Sequence, residues 1–170
     1  MDKQITIIGA GIIGICTAYY LAKNHKLSNI VLIDRNNPMS LTSAASGENY
    51  RNWWPQPEMF TFINRSIDLM EDIARQTENR INMTRRGYAL ATRHKDIDEF
   101  IDELKAGMNG LDERLLRHHA KQNSNNYLKS ITNNWETTPN GVDVIQNRQL
   151  IRTAFPNYAE DVETVIHIRR

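Results

Sequence analysis

The chain has 170 residues, with 21 basic and 20 acidic side chains and a formal net charge of +1. This balance gives no reason to expect a nucleic acid or an anionic membrane as partner. A hydrophobic content of 40% is typical of a globular protein, and the length is enough for a sizeable core. Cys16 is the single cysteine, so an intrachain disulfide is excluded. With no signal-peptide pattern and no apolar run of about 18 residues, we expect a cytoplasmic location.

The first 34 residues predict a strand, a helix and a second strand. Ile5–Ile8 is a short apolar run that ends at a glycine, the pattern from Ile12 onward is helical, and residues 29–33 form a second apolar run. Two parallel strands joined by a helix make a βαβ unit, the building block of doubly wound α/β folds.

The turn between the first strand and the helix carries three glycines at the G-x-G-x-x-G spacing. They are Gly9, Gly11 and Gly14, and Asp34 follows the last of them by 20 residues. In such a turn the glycines permit a tight bend and close approach of a pyrophosphate, which lies against the positive N-terminus of the helix. We therefore predict that the backbone of Ala10, Ile12 and Ile13 faces the phosphates together with the glycines. Asp34 would accept hydrogen bonds from the ribose hydroxyls and repel a 2′-phosphate, which argues against NADP despite the adjacent Arg35.

The stretch from 40 to 51 is rich in small residues and hydroxyls. On composition alone it is an ordinary surface loop, but its place directly beyond Asp34 favours contact with a ligand. Arg51 at its end is a candidate for holding a substrate carboxylate, as a bidentate fork. The alternative for the adjacent Trp53 and Trp54 is that they cover the core and a helix start rather than a flavin.

The order GAGIIG, VLIDR and TSAASGENYR resembles the amino-terminal part of FAD-dependent oxidoreductases of the D-amino-acid oxidase and sarcosine/dimethylglycine oxidoreductase family. The resemblance implies a Rossmann-like FAD-binding βαβ unit followed by the start of a mixed α+β substrate domain. It assigns the glycines, Asp34 and Arg35 to the ADP half of FAD, and the hydroxyls of Thr42, Ser43 and Ser46 to the pyrophosphate and ribityl chain. The activity it implies is oxidation of a C–N bond of an amino acid or secondary amine by hydride transfer to flavin. The acid in this family is more often Glu, so an NAD-binding dehydrogenase stays open as an alternative.

The rest of the chain predicts alternating helices and short strands. We expect a helix over 57–76, a strand–turn–strand over 82–92, a helix over 96–108 and further helical turns near 111–116. A strand over 142–145, a helix over 147–155 and a strand over 162–168 follow. Residues 123–140 are rich in asparagine and predict a loop.

No metal site is predicted, because the adjacent His118 and His119 would diverge on a helix rather than chelate. Arg85 and Arg86 are expected at a solvated edge. No catalytic residue can be named, and nothing indicates covalent flavin.

We expect an FAD-binding part over 1–80 and an incomplete substrate-domain part over 81–170. Family members continue well beyond this point, so the chain is expected to be the first part of a larger enzyme. A partner chain would then supply the remainder, or the chain would be a truncated, non-catalytic nucleotide-binding product.

Overall fold

The computed structural model describes residues 4–47, 49–108, 113–120, 126–130 and 135–170. These residues form two compact units, Met1–Asn49 and Tyr50–Arg170, and each is described by itself. The predicted division into an FAD-binding part over 1–80 and a substrate-domain part over 81–170 stays a prediction.

The first unit is the predicted βαβ arrangement. Strand β1 (Ile5–Ile8) pairs in parallel with β2 (Ile30–Ile33), and helix α1 (Ile12–His25) connects them. Helix α1 ends at Lys26, whose φ of 56° is a left-handed C-cap conformation. Large apolar side chains are exposed on this unit, among them Ile8 at 87% and Ile13 at 81%.

The second unit has a four-stranded mixed sheet in the order β3-β6-β5-β4. The strands are β3 (Tyr88–Thr92), β4 (Leu116–His119), β5 (Val142–Ile145) and β6 (Thr164–Ile168). Strand β6 is antiparallel to β3 and β5, whereas β4 and β5 are parallel. Every residue of β5 and β6 is buried, so these two strands form the centre of the sheet.

Helices cover this unit's core. Helix α2 (Pro57–Gln76) begins with proline in its first turn, as predicted, and contributes Ile67 and Ala74 to a cluster with Met83 and Trp135. The other two helices are α3 (Asp98–Gly107) and α4 (Arg148–Ala154). Helix α3 packs against the face of the sheet that carries Val142, Val144, Ile166 and Ile168, and α4 packs with Ile145 and Val165.

The structure confirms most predicted elements and corrects two. Residues 83–87 have no regular secondary structure, so the first strand of the predicted strand–turn–strand is absent. The segment near His118 is a short 3-10 helix, Glu113–Leu115, followed by β4, so the two histidines lie on a strand and not on a helix. Leu111 lies outside the described residues, as do 123–125 and 131–134 of the predicted asparagine-rich loop. Within that loop, 126–130 lie outside helices and strands, and Trp135–Thr137 is a 3-10 helix.

Candidate functional site

The glycine turn after β1 has a conformation that requires glycine at two positions. Gly9 has a φ of +107°, a backbone conformation that residues other than glycine rarely adopt. A Cβ atom on Gly14 would lie 1.8 Å from the carbonyl oxygen of Gly9, so only glycine lets α1 start this close to the end of β1. The Gly9 N–H donates to the Ile33 oxygen at 2.8 Å, which fixes the turn against β2. The turn is therefore held in one shape by packing and by the sheet.

Asp34 lies at the end of β2 and contacts the same turn. Its Oδ2 accepts a hydrogen bond from the Ala10 N–H at 2.8 Å, and its Oδ1 accepts one from the Asn36 N–H at 2.8 Å. The bond from Ala10 first, and then the bond from Asn36, hold the pKa of Asp34 below its usual range. Because each carboxylate oxygen has two lone pairs, both oxygens keep one acceptor site on the exposed side. Asp34 is thus an ionised, oriented acceptor beside the glycine turn.

Ser43 joins the turn from the loop that follows β2. Its Oγ accepts a hydrogen bond from the Ile12 N–H at 3.1 Å, at the first residue of α1. A Cβ atom on Gly11 would lie 3.3 Å from this Oγ, so the hydroxyl and Gly11 are in close contact. The Met39 N–H donates to the Ala10 oxygen at 2.9 Å and brings the loop back against the turn. Since Ser43 accepts through its oxygen, its own proton stays available for an acceptor outside the protein.

The first turn of α1 presents further donors. Among the residues that the structure describes, the N–H groups of Ile13 and Gly14 donate to no acceptor, as expected at a helix N-terminus. These N–H groups and the partial positive charge of the helix suit an anion. The remaining predicted site residues, Arg35, Thr42 and Ser46, are exposed in the same unit.

These features together are those of a dinucleotide-binding βαβ unit. A family model described as FAD dependent oxidoreductase, abbreviated DAO, matches residues 4–161. The chain belongs to this family, and FAD is the cofactor on which the family depends. This finding decides between the two nucleotides considered above, in favour of FAD over NAD.

Two curated relatives agree with this assignment. L-saccharopine oxidase of Schizosaccharomyces pombe is 45% identical over 49 residues, which cover 29% of this chain and 11% of the relative. Sarcosine oxidase subunit beta of an Arthrobacter species is 28% identical over 115 residues, which cover 66% of this chain and 28% of the relative. The matched segments therefore span less than a third of either relative. The described residues contain no helix long and apolar enough to cross a membrane, and no cluster of three metal-ligating side chains.

Arg51 lies between two aromatic rings in the second unit. Its guanidinium carbon is 5.1 Å from the centroid of the Trp54 ring and 5.0 Å from that of Tyr88. Trp53 packs against Phe100 with a centroid distance of 5.1 Å and contacts the core, as the structural alternative for the tryptophans predicts. Three buried donors of this segment have no hydrogen-bond partner among the described residues: Nε of Arg51 and the two indole Nε1 atoms. Residues 51–54 thus have hydrogen-bond donors without partners, and none of these four residues is acidic.

Sequence reasoning missed a buried ionic cluster on the second sheet. Asp143 is 2% exposed. Its carboxylate accepts hydrogen bonds from Arg117 Nε at 2.7 Å and Nη2 at 3.0 Å, and one oxygen lies 2.8 Å from His119 Nε2. Arg169, which is fully buried, lies 3.3 Å away through its Nε. Burial opposes the charge of Asp143, but the hydrogen bonds from Arg117 and His119 outweigh it and lower the pKa of this carboxyl. A lone acid inside the apolar run 142–145 was the available signal, because a buried acid needs a partner.

The expectation for Arg85 was wrong, whereas Arg86 is exposed as predicted. Arg85 is 7% exposed, lies 3.6 Å from Glu71 and donates to the Asn140 side-chain oxygen. Glu71 also accepts from Arg170 at 3.1 and 3.0 Å. Arg85 is therefore part of an interior ionic group and does not face solvent.

Proposed function

We propose that residues 1–49 bind the ADP half of FAD. The observation that carries this proposal is the direct hydrogen bond from Ala10 to Asp34, because it joins the phosphate-binding turn and the ribose acceptor into one preformed unit. The unused N–H groups of Ile13 and Gly14 would donate to the pyrophosphate, and the backbone of Gly9, Gly11 and Ile12 would let it approach closely. The acid at this position is more often Glu in the family, but the shorter Asp34 can still reach the ribose, because it lies directly against the turn.

The loop after Asp34 extends this proposed site. Ser43 would donate its remaining proton to a phosphate oxygen, and Thr42 and Ser46 would contact the chain that leads toward the flavin. Arg35 would lie at the adenosine end and adds a positive charge beside the Asp34 carboxylate. When bound, FAD supplies an acceptor for a hydride from the carbon beside an amine nitrogen.

The proposed substrate class is an amino acid or a secondary amine. Support comes from the two relatives, which are named as an oxidase of saccharopine and a subunit of an oxidase of sarcosine. Arg51 is our proposed contact for the substrate carboxylate, because its charge is permanent and its Nε has no partner within the described residues.

We also propose that further polypeptide covers the first unit, either a continuation of this chain or a partner chain. The exposed Ile8, Ile13 and Ile33 support this, since large apolar side chains grouped on a surface are typical of a contact with another segment. The relative named as a subunit of sarcosine oxidase is compatible with either source.

The test of FAD binding is an equilibrium titration with the visible flavin spectrum as readout. Wild type is expected to bind saturably, and Asp34→Ala is expected to lose about tenfold in affinity or more, because two ribose hydrogen bonds of about 1 kcal/mol each disappear. The matched control is Asp102→Ala, which removes an exposed carboxylate of α3 and should leave affinity unchanged. Equal affinity of wild type and Asp34→Ala would contradict the proposed site.

A further inference from the structure

Asn140 and Gly141, which precede β5, form a dipeptide of known chemical lability. In an Asn–Gly sequence the glycine amide nitrogen can attack the side-chain amide carbon, because glycine has no side chain to hinder the approach. Two events control this reaction: polarisation of the side-chain carbonyl that is attacked, and loss of the proton from the attacking backbone amide. Folded proteins usually slow it by holding the chain away from the cyclic geometry.

One guanidinium group binds the carbonyl that would be attacked, and a second binds the peptide group that contains the attacking nitrogen. Arg85 Nη2 donates to the Asn140 side-chain oxygen, which is the carbonyl that would be attacked. Arg117 Nη1 donates at 2.8 Å to the Asn140 backbone oxygen, which belongs to the same peptide group as the attacking Gly141 nitrogen. One cation therefore contacts the group that is attacked, and the other contacts the peptide group that loses its proton.

Each contact acts in the direction of cyclisation. The charge of Arg85 stabilises the oxyanion that develops on the side-chain oxygen, in the manner of an oxyanion hole. The charge of Arg117 stabilises the negative charge that the peptide group acquires when Gly141 loses its proton. Among the described residues the Gly141 N–H donates to no acceptor, so no hydrogen bond has to break before attack.

The surroundings keep both guanidinium groups in place. Arg85 is 7% exposed and lies 3.6 Å from Glu71, and Arg117 is held by the two oxygens of Asp143. Arg85 is buried, where charge interactions are stronger than in water, and Arg117, which is 27% exposed, is fixed by its two hydrogen bonds to Asp143.

We propose that Asn140 is a site of spontaneous deamidation that the fold accelerates through Arg85 and Arg117. The Gly141 nitrogen forms a bond to Cγ of Asn140, the Cγ–Nδ2 bond breaks, and ammonia leaves with the amide proton. Water then opens the cyclic imide. Opening at Cγ gives aspartate, and opening at the main-chain carbonyl gives isoaspartate.

The two products have opposite consequences for the interior. Aspartate at 140 places a carboxylate beside Arg85, whose pKa is lowered mainly because burial opposes its charge. The new carboxylate would offset that penalty. Isoaspartate inserts a methylene into the backbone next to β5 and would disturb its register with β6.

The test compares the folded and the unfolded protein by peptide mapping. The purified protein is incubated at mildly alkaline pH, once in buffer and once in concentrated urea, and conversion at Asn140 is followed by liquid chromatography and mass spectrometry. We expect conversion about tenfold faster in the folded protein, the factor that about 1.4 kcal/mol of transition-state stabilisation produces. The Asn109–Gly110 dipeptide serves as reference in urea, where both sites should react at one rate. A rate at Asn140 that is equal or slower in the folded protein would overturn the proposal.

Two variants separate the contributions. Arg85→Lys and Arg117→Lys keep the positive charge but lose the planar geometry of the contact. Each is expected to slow conversion in buffer and to leave the rate in urea unchanged. If a variant fails to fold, the wild-type comparison still decides. Two folded variants that both react at the wild-type rate would overturn the proposed role of the guanidinium groups.

Discussion

Acidification should destabilise the second unit through His167. This ring is 3% exposed, its Nε2 donates to the Arg86 oxygen at 2.7 Å, and its Nδ1 accepts from Arg169 Nη1 at 2.7 Å. The Tyr127 hydroxyl also lies 2.9 Å from Nδ1. Because Arg169 has only donors, Nδ1 must carry a lone pair, and the folded ring is neutral with its proton on Nε2. Burial first, and then the charge of Arg169, lower the pKa of His167 from 6.5 to about 4.

The sign and the size follow from proton linkage. Between pH 6.5 and pH 4 the unfolded chain binds a proton at His167 that the folded chain does not, so the free energy of unfolding falls as the pH falls. The full loss, reached below about pH 4, is about 3 kcal/mol at 1.36 kcal/mol per pKa unit. At pH 5 about 2 kcal/mol is lost, and above pH 7 this residue contributes no pH dependence.

Urea unfolding monitored by tryptophan fluorescence measures this effect. All three tryptophans, Trp53, Trp54 and Trp135, lie in the second unit and report on it. His167→Gln should be less stable than wild type at pH 7 by about 1 to 3 kcal/mol, because it disrupts a buried hydrogen-bond group. Between pH 7 and pH 5, its free energy of unfolding should fall by about 2 kcal/mol less than that of wild type. The control His118→Gln changes an exposed ring on β4 and should keep the wild-type pH dependence. If His167→Gln and wild type show the same pH dependence, the reasoning about the neutral buried ring is refuted.

Two further predictions concern the first unit and the interior ionic group. Gly14→Ala should disrupt the turn and abolish FAD binding, since its Cβ would clash with the Gly9 oxygen. Gly11→Ala should show a wild-type circular dichroism spectrum and bind FAD about tenfold more weakly or worse. Equal effects of the two substitutions would contradict this account of the turn. Glu71→Gln should destabilise the second unit by about 3 to 5 kcal/mol in urea unfolding, because Arg85 and Arg170 would lose their shared buried carboxylate. A loss no larger than that of the exposed-site control Glu58→Gln would show that the ionic group contributes little.

The sequence predicts elements best where a local pattern determines them. The βαβ unit follows from short-range signals, namely two apolar runs, the glycine spacing and Asp34. Helix α2 was predicted over its full length because its apolar period and its proline start are both local. Ser43 is assigned to the site by the family resemblance, whereas its hydrogen bond to Ile12, 31 residues away, is visible only in the structure.

The failures have one physical cause, which is dependence on distant partners. Two adjacent arginines are typical of a surface, yet Arg85 is buried because Glu71 and Asn140 neutralise and bind it. His119 was read as part of a helix, but pairing of β4 with β5 places it beside Asp143, 24 residues away. Burial of a charge is stable only with its partner, and no local pattern identifies that partner.

Competition binding tests the central claim most directly, because residues 1–49 are proposed to recognise the ADP half of FAD and not the flavin. With FAD bound to the purified protein, ADP should displace it at concentrations set by its own affinity, and FMN should not. Displacement by ADP should weaken in Asp34→Ala. Displacement by FMN but not by ADP would show that recognition lies outside the glycine turn and Asp34, and would contradict the account.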